Sequence, residues 1–123
     1  MKKNWEYRRG DIYLADLSPI RGCEQGGIRP VVVIQNNIGN FYAPTLIVAT
    51  VTAKVRKKHR QPTHYFIWNN SAFKRPSVVV LEQIRTIDKE RIMRYLGKLT
   101  RKEMEGINAA LLISLELNTF SHQ

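Results

Sequence analysis

Short β-branched runs separated by turn-forming residues are the feature that most constrains the fold of this chain. The clearest run, 45–52 (T-L-I-V-A-T-V-T), follows Pro44, and 30–35 (P-V-V-V-I-Q) is followed by two asparagines. β-Branched residues favour extended backbone, whereas proline, glycine and asparagine favour turns. The sequence therefore predicts five strands, over residues 11–15, 30–35, 45–52, 63–68 and 77–85.

The segments between these strands predict loops. The segment 18–27 is rich in glycine, 37–44 carries the turn signal Gly39-Asn40, and 54–61 is basic enough to be a loop or a protruding hairpin. Asp88 predicts the N-cap of a short helix over 88–92.

The C-terminal part of the chain has a helical period. The segment 93–99 fits either a helix or a strand, but Thr100 and Glu103 have the spacing of a capping box. We therefore predict a helix over 101–117. Its apolar stripe comprises Met104, Ile107, Leu111 and Leu115.

Strands followed by a helix predict a mainly β (α+β) fold: a small antiparallel β-barrel with appended helices, not a doubly wound sheet. The chain has 123 residues, which suits one core, and it contains no internal repeat or linker. We expect a single domain over 1–123.

The net charge of the chain limits the classes of partner that can be expected. Lys and Arg number 20 against 10 Asp and Glu, a net charge of +10, which suits nucleic acid, an anionic membrane or an acidic protein. The predicted helix 101–117 has only two basic residues, which disfavours membrane binding. The N-terminus is basic but leads into no apolar segment, so we expect no signal peptide and a cytoplasmic protein.

Metal and thiol chemistry have little support in the sequence. Cys23 is the only cysteine, so an intrachain disulfide and a cysteine-rich zinc site are excluded, and a lone thiol suits a reducing compartment. His59, His64 and His122 are not at ligand spacing from one another. We expect no metal and no cofactor.

A candidate anion site lies in the segment 22–30 (G-C-E-Q-G-G-I-R-P). Gly26 and Gly27 permit unusual backbone angles and a close approach of a ligand. Arg29 precedes Pro30, which favours an extended backbone and places a guanidinium at the start of a strand. This arrangement suits an oxyanion or a phosphate, although a solvated arginine at a strand start is the simpler alternative.

Further cations point to nucleic acid. The run 54–60 has five Lys or Arg in seven residues and can track a phosphate backbone, or be an ordinary solvated loop. Gln83 and Arg85 have matching parity on the fifth predicted strand, so both can face one groove. A structural hydrogen bond of Gln83, and an ion pair of Arg85 with Glu82 or Asp88, are the alternatives.

Three segments resemble toxins of the MazF/PemK type: 9–17 (R-G-D-I-Y-L-A-D-L), 22–36 (G-C-E-Q-G-G-I-R-P-V-V-V-I-Q-N) and 81–88 (L-E-Q-I-R-T-I-D). The resemblance extends from about residue 8 to 117. It implies an SH3-like barrel with helices, a homodimer, and a metal-independent endoribonuclease that cuts single-stranded RNA, chiefly mRNA, at short sequences. It also implies an antitoxin partner that blocks the activity.

The resemblance carries two catalytic positions onto this chain, Arg29 and Thr52. Cys23 departs from the family, which has a small Ser-like residue there. We assign further residues to RNA binding from the glycine-rich loop, the basic arm and the fifth strand. They are Cys23, Glu24, Gln25, Gly26, Gly27, Lys54, Arg56, Lys57, Lys58, Gln83 and Arg85.

RNA is cut without a metal when its own 2′-OH attacks the adjacent phosphorus, which leaves a cyclic phosphate and a free 5′-OH. Arg29 can stabilise charge on the phosphorane, and Thr52 can donate a hydrogen bond to a non-bridging or leaving oxygen. The resemblance also implies an acid or base role for Arg29, whose guanidinium is a poor base in water.

Two other functions remain open from the sequence. Composition alone favours a nucleic-acid-binding module without catalysis. A gyrase-inhibiting toxin on the same barrel is the other alternative, although such a protein inhibitor needs no arginine in a groove.

Overall fold

The computed structural model describes residues 4–18, 26–55 and 61–117. Within these ranges the chain forms six strands, two α-helices and a short 3-10 turn, Lys89–Arg91. No described helix is long and apolar enough to cross a membrane. The elements in chain order are β1 (Asp11–Asp16), β2 (Ile28–Val33), α1 (Asn37–Tyr42), β3 (Thr45–Thr52), β4 (His64–Ile67), β5 (Ser77–Asp88), β6 (Ile92–Lys98) and α2 (Arg101–Ser114).

The six strands form one antiparallel sheet in the order β4-β5-β3-β2-β1-β6. The mainly β fold with a C-terminal helix is confirmed. Among the described residues β4 and β6 are the two edges and do not pair with each other, so the predicted barrel is an open sheet. β5 joins β3 to the edge strand β4 and is the longest strand of the sheet.

Each face of the sheet buries its own apolar cluster. On the first face, α2 packs its buried residues Ile107 and Ala110 against strand residues that include Val51 and Leu81. On the second face, Tyr13, Val31, Val33, Val48 and Ile87 pack with Trp5 and Tyr7 of the N-terminal segment. Alternate side chains of one strand go to opposite faces, so the apolar runs fill both clusters.

The helix predictions were partly right. Thr100 accepts a hydrogen bond from the N–H of Glu103, and the Glu103 carboxylate accepts from the N–H of Thr100, so the capping box is confirmed. α2 ends at Ser114, three residues earlier than predicted, and Leu115 of the predicted stripe is 49% exposed. The short helix predicted over 88–92 is the 3-10 turn Lys89–Arg91, and Asp88 is its N-cap, since its carboxylate accepts from the N–H of Glu90.

One predicted loop contains a helix, and the segment left open between helix and strand is a strand. The segment 37–44, predicted as a loop, contains α1, because Asn36 caps it by accepting from the N–H of Gly39 and because the side chain of Asn40 is buried and bonded to Gln35. Residues 93–98 of the ambiguous segment 93–99 belong to a sixth strand, β6, which pairs with β1.

Candidate active site

Arg29 is held at the junction of β2, β3 and the β1–β2 loop. Its Nε donates a hydrogen bond to the carbonyl of Gly26 at 2.8 Å, and one terminal nitrogen donates to the carbonyl of Val51 at 3.4 Å. The side chain is half-buried, and this burial lowers the pKa of the guanidinium. The head group therefore has a fixed direction at the open end of the sheet instead of being a mobile surface charge.

Thr52 is the last residue of β3 and lies beside Arg29. The pairing of β2 with β3 ends with Val31 opposite Thr50, and continuing this register by two residues brings Arg29 level with Thr52. The bond from the Arg29 guanidinium to the carbonyl of Val51, the residue before Thr52, agrees with this arrangement. Thr52 is 5% exposed, and its Oγ1 accepts a hydrogen bond from the N–H of Lys54 at 3.2 Å. The structure thus brings together the two residues predicted to be catalytic, and their catalytic roles stay a prediction.

The glycines of the β1–β2 loop shape the site from one side. Gly27 has φ +75°, a left-handed conformation that strains any other residue except asparagine or aspartate, and a Cβ there would meet no atom within 4 Å. Its carbonyl accepts from the N–H of Leu17 at 2.9 Å, which ties the end of the loop to β1. Gly26 contributes the carbonyl that orients Arg29.

β5 brings a second cation to the same face. Arg85 pairs with Val48, and residues paired across antiparallel strands project to one face, so Arg85 shares the face of Thr50 and Thr52. Its terminal nitrogen donates to the carbonyl of Leu17 at 3.4 Å, in the segment that Gly27 also contacts.

Gln83 lies in an irregular part of β5. Thr50 pairs with Val80 while Ala49 pairs with Ile84, so residues 81–83 form a bulge. Matching parity puts two residues on one face only in a regular strand, so RNA binding by Gln83 stays a prediction. The backbone of Gln83 nevertheless reaches the site, because its carbonyl accepts from Oγ1 of Thr50 at 3.4 Å.

A pair formed by the buried His64 and the exposed carboxylate of Glu82 was not predicted from the sequence. His64 pairs with Val80, which pairs with Thr50. His64 therefore lies two strands away from Thr50 on the same face of the sheet. Its Nε2 is 2.8 Å from a carboxylate oxygen of Glu82, and its buried Nδ1 has no partner among the described residues. The sequence shows polar residues on the fourth and fifth predicted strands. It does not show which residues of the two strands lie opposite each other, so the pair could not be predicted.

The pKa of Glu82 is lowered. Burial acts to raise it, but hydrogen bonds from His64, its own backbone and Thr63 outweigh that effect, so the carboxylate stays ionised. The site therefore combines two guanidinium groups, a buried hydroxyl and a carboxylate on one face. Such a set binds an anionic ligand through its cations and offers a donor to a reacting oxygen.

Several predicted RNA-binding residues fall outside the described residues. They belong to the glycine-rich loop and the basic arm, and of that arm only the exposed Lys54 among the predicted contacts is described. In the described ranges, no three His, Cys, Asp or Glu side chains form a group that can hold a metal. The residues outside the description are Cys23, Glu24, Gln25, Arg56, Lys57 and Lys58.

Comparison with known proteins identifies close relatives of the chain. Residues 8–115 match the family described as "PemK-like, MazF-like toxin of type II toxin-antitoxin system". Endoribonuclease MazF of Staphylococcus saprophyticus is 54% identical over 119 residues, which cover 94% of this chain and 98% of the relative.

Solved structures have the same fold. An endoribonuclease from a mycobacterial species, in complex with its cognate antitoxin, superimposes with a TM-score of 0.74 at 26% identity, over 90% of this chain and 96% of that one. MazF of Deinococcus radiodurans superimposes with a TM-score of 0.77 over 92% of this chain and 99% of that one. At 19% identity, the second likeness shows the fold alone.

Proposed function

The chain belongs to the family of PemK-like, MazF-like toxins of type II toxin–antitoxin systems, and we propose that it cuts single-stranded RNA at short sequences as the endoribonuclease of such a pair. The observation that carries this proposal is the guanidinium of Arg29, which Gly26 and Val51 hold next to Thr52. A fixed cation beside a buried hydroxyl suits a phosphate that gains charge during reaction.

The proposed reaction uses the 2′-OH of the RNA as its nucleophile. The 2′-oxygen passes its proton to solvent water and bonds to phosphorus, the bond from phosphorus to the 5′-oxygen breaks, and that oxygen takes up a proton from the solvent in turn. The products are a 2′,3′-cyclic phosphate and a 5′-OH end. Arg29 stabilises the phosphorane through its N–H donors, and the lowered pKa of its guanidinium makes proton donation to the leaving oxygen less unfavourable than in water.

Thr52 supplies the second donor. Its hydroxyl already accepts from the backbone N–H of Lys54 and can direct its own proton towards a non-bridging or leaving oxygen. Replacing the hydroxyl by a methyl group in Thr52→Val keeps the shape and removes this donor, so we expect cleavage to fall about 100-fold or more. Thr52→Ser keeps the donor and serves as the matched control.

Substrate affinity comes from the positive face of the site. Arg29 and Lys54 lie at the end of the sheet where β2 begins and β3 ends. Arg85 lies opposite Val48 in the middle of β3 and reaches the carbonyl of Leu17, so that the three residues together offer three cations to the RNA backbone. The predicted contacts of Gln83 and of the glycine-rich loop add groups that can distinguish bases.

An acidic antitoxin is the second proposed partner, since a negatively charged segment can occupy the same positive face. The mycobacterial relative was solved with its cognate antitoxin. We further propose that the toxin acts as a homodimer in the cytoplasm, where mRNA is present and where a protein with a single cysteine stays reduced.

Mapping the ends of the RNA products tests this function directly. A long RNA is incubated with the protein in EDTA, and the 5′ ends and 3′ phosphates of the fragments are identified. We expect fragments with 5′-OH and 2′,3′-cyclic phosphate ends at a short common sequence. RNA that is shifted in a gel but stays intact would indicate a binding module, and topoisomerase inhibition without RNA cleavage would indicate a gyrase inhibitor. Activity that is lost in EDTA and restored by magnesium or zinc would refute the metal-free mechanism.

A further inference from the structure

Two aromatic side chains stack at the end of β4. The rings of Phe66 and Trp68 have centroids 5.8 Å apart and planes inclined by only 13°. Trp68 is 57% exposed, so the pair presents a large apolar ring to solvent at the surface of the sheet. Exposed aromatic rings in this arrangement are candidates for contact with another flat ring.

The pair lies on the face of the candidate active site. Phe66 pairs with Val78, and Val78 pairs with Thr52, so these residues project to the same side of the sheet. Two strand spacings separate Phe66 from Thr52, a distance of about 10 Å. The aromatic pair therefore flanks the site at the end of the sheet where Arg29 is held.

The apolar core does not explain the pair. Tyr65 and Ile67, which alternate with Phe66 and Trp68 along the chain, are the residues of this segment that join the cluster beneath α2. The other strongly exposed aromatic pair, Phe41 and Tyr42, is on α1, which follows the far end of β2. Of these two aromatic pairs, only Phe66 and Trp68 lie at the end of the sheet that contains Thr52.

We propose that Trp68, supported from behind by Phe66, is a stacking platform for a nucleobase of the bound RNA, close to the bond that is cut. This inference rests on the proposed function and adds a base-binding position to it. A single-stranded substrate exposes the faces of its bases, and an aromatic side chain binds them with little dependence on sequence. The cations Arg29 and Lys54 at the same end favour a nucleic acid over an uncharged apolar peptide as the occupant.

Trp68 acts here on binding and not on the reacting atoms. Stacking on an aromatic side chain is worth about 1–3 kcal/mol per base, which corresponds to about 5- to 150-fold in affinity. Trp68→Ala removes this stacking, whereas Trp68→Phe keeps a smaller platform. Tyr42→Ala is the matched control, because it removes an even more exposed aromatic ring, 79% against 57%, at the other end of the sheet.

The test measures binding and cleavage separately. Its probe is an oligonucleotide of a mapped cleavage sequence with a 2′-O-methyl group at the cut position, so that it binds but is not cut. We expect Trp68→Ala to weaken its affinity about 5- to 150-fold, Trp68→Phe to weaken it less, and Tyr42→Ala to leave it unchanged. At saturating RNA, the single-turnover cleavage rate of Trp68→Ala should stay within a few-fold of wild type.

A fluorescence measurement supplies a second readout. The chain has two tryptophans, so Trp5→Phe leaves Trp68 as the only one, and its emission should be quenched when the oligonucleotide binds. If Trp68→Ala and wild type bound the oligonucleotide with equal affinity, the stacking platform would be refuted. Cleavage by the wild type would still support the proposed function in that case. Weaker antitoxin binding with unchanged RNA binding would also overturn it, because the pair would then be a protein-docking surface. A wild-type protein that neither binds nor cuts RNA would refute the proposed function itself.

Discussion

Gly106 of α2 lies directly against the ring of Tyr65 on β4. A Cβ atom on Gly106 would stand 2.0 Å from Cε1 of Tyr65, 2.6 Å from Cδ1 and 2.7 Å from Cζ. Carbon atoms pack best at about 3.5–4.0 Å, so the ring or the helix would have to retreat by about 1.5 Å. Both belong to the same packed face, because Tyr65 contacts the cluster that contains Ile107.

The effect of Gly106→Ala on the free energy of unfolding is the sum of two opposing contributions. Overpacking costs about 1–3 kcal/mol, and a clash with a ring at this distance belongs in the upper part of that range. Replacing glycine by alanine inside a helix stabilises the helix by about 0.8–1 kcal/mol. We expect the free energy of unfolding to fall by about 1–2 kcal/mol, which for a domain of this size lowers Tm by about 4–8 °C.

Denaturant unfolding and thermal melts followed by circular dichroism measure this effect. The effect should reverse in the Tyr65→Ala background, where the ring is absent and Gly106→Ala should stabilise the protein by up to about 1 kcal/mol. Glu105→Ala, at the exposed neighbouring position, should change stability by no more than about 0.5 kcal/mol. A Gly106→Ala protein as stable as wild type, or no reversal in the double variant, would refute the packing of α2 on β4.

Two further outcomes follow from the charges of the site. Raising the salt concentration should weaken RNA binding, and the described cations Arg29, Arg85 and Lys54 should contribute about −2 to the slope of log K against log salt, at about −0.7 each. Arg85→Gln should reduce the slope by about 0.7, and an unchanged slope would exclude Arg85 from the phosphate contacts. The lowered pKa of Glu82 stabilises the fold above the unfolded pKa of about 4.3, and this contribution is lost as the pH falls through the folded pKa. Glu82→Gln should therefore remove part of the acid destabilisation seen in melts at decreasing pH, and an identical pH profile would show that the pair with the histidine contributes nothing.

Local patterns were enough to predict the central strand and the last helix. β3 has the bounds that the sequence predicts, because its β-branched run fills both faces of the sheet and Pro44 stops it at one end. The start of α2 is fixed by Thr100 and Glu103, whose capping box is local. Its end was placed too late because Leu115 continues the apolar period without being buried.

Other elements depend on contacts that a local pattern does not contain. β5 continues to Asp88 because that residue pairs with Thr45 of β3, far away in the chain. β6 is a strand because β1 offers it an edge, although the same residues fit a helix. α1 was missed because Gly39 and Asn40 have the form of a turn signal. In the structure Gly39 donates its N–H to the cap residue Asn36, and the buried side chain of Asn40 bonds to Gln35.

Only part of the candidate site was predicted. The resemblance pointed to Arg29 and Thr52, but their proximity follows from the pairing of β2 with β3, and the contact between His64 and Glu82 was not predicted. The bulge at 81–83 changes which way the residues of β5 point, and it brings Glu82 to His64. A bulge of this kind follows from strand pairing and leaves no mark in the alternation of residues.

Cleavage by Arg29→Ala tests the central claim most directly. The single-turnover rate on a mapped RNA in EDTA is compared for wild type, Arg29→Ala, Arg29→Lys and Arg101→Ala, which removes one exposed positive charge from α2. Removing a donor to a developing charge costs about 10²- to 10³-fold, so we expect that loss for Arg29→Ala. Arg29→Lys keeps the charge but loses the bond from Nε to Gly26 and should also be impaired, whereas Arg101→Ala should match wild type. A folded Arg29→Ala protein that cuts RNA at the wild-type rate would contradict this account.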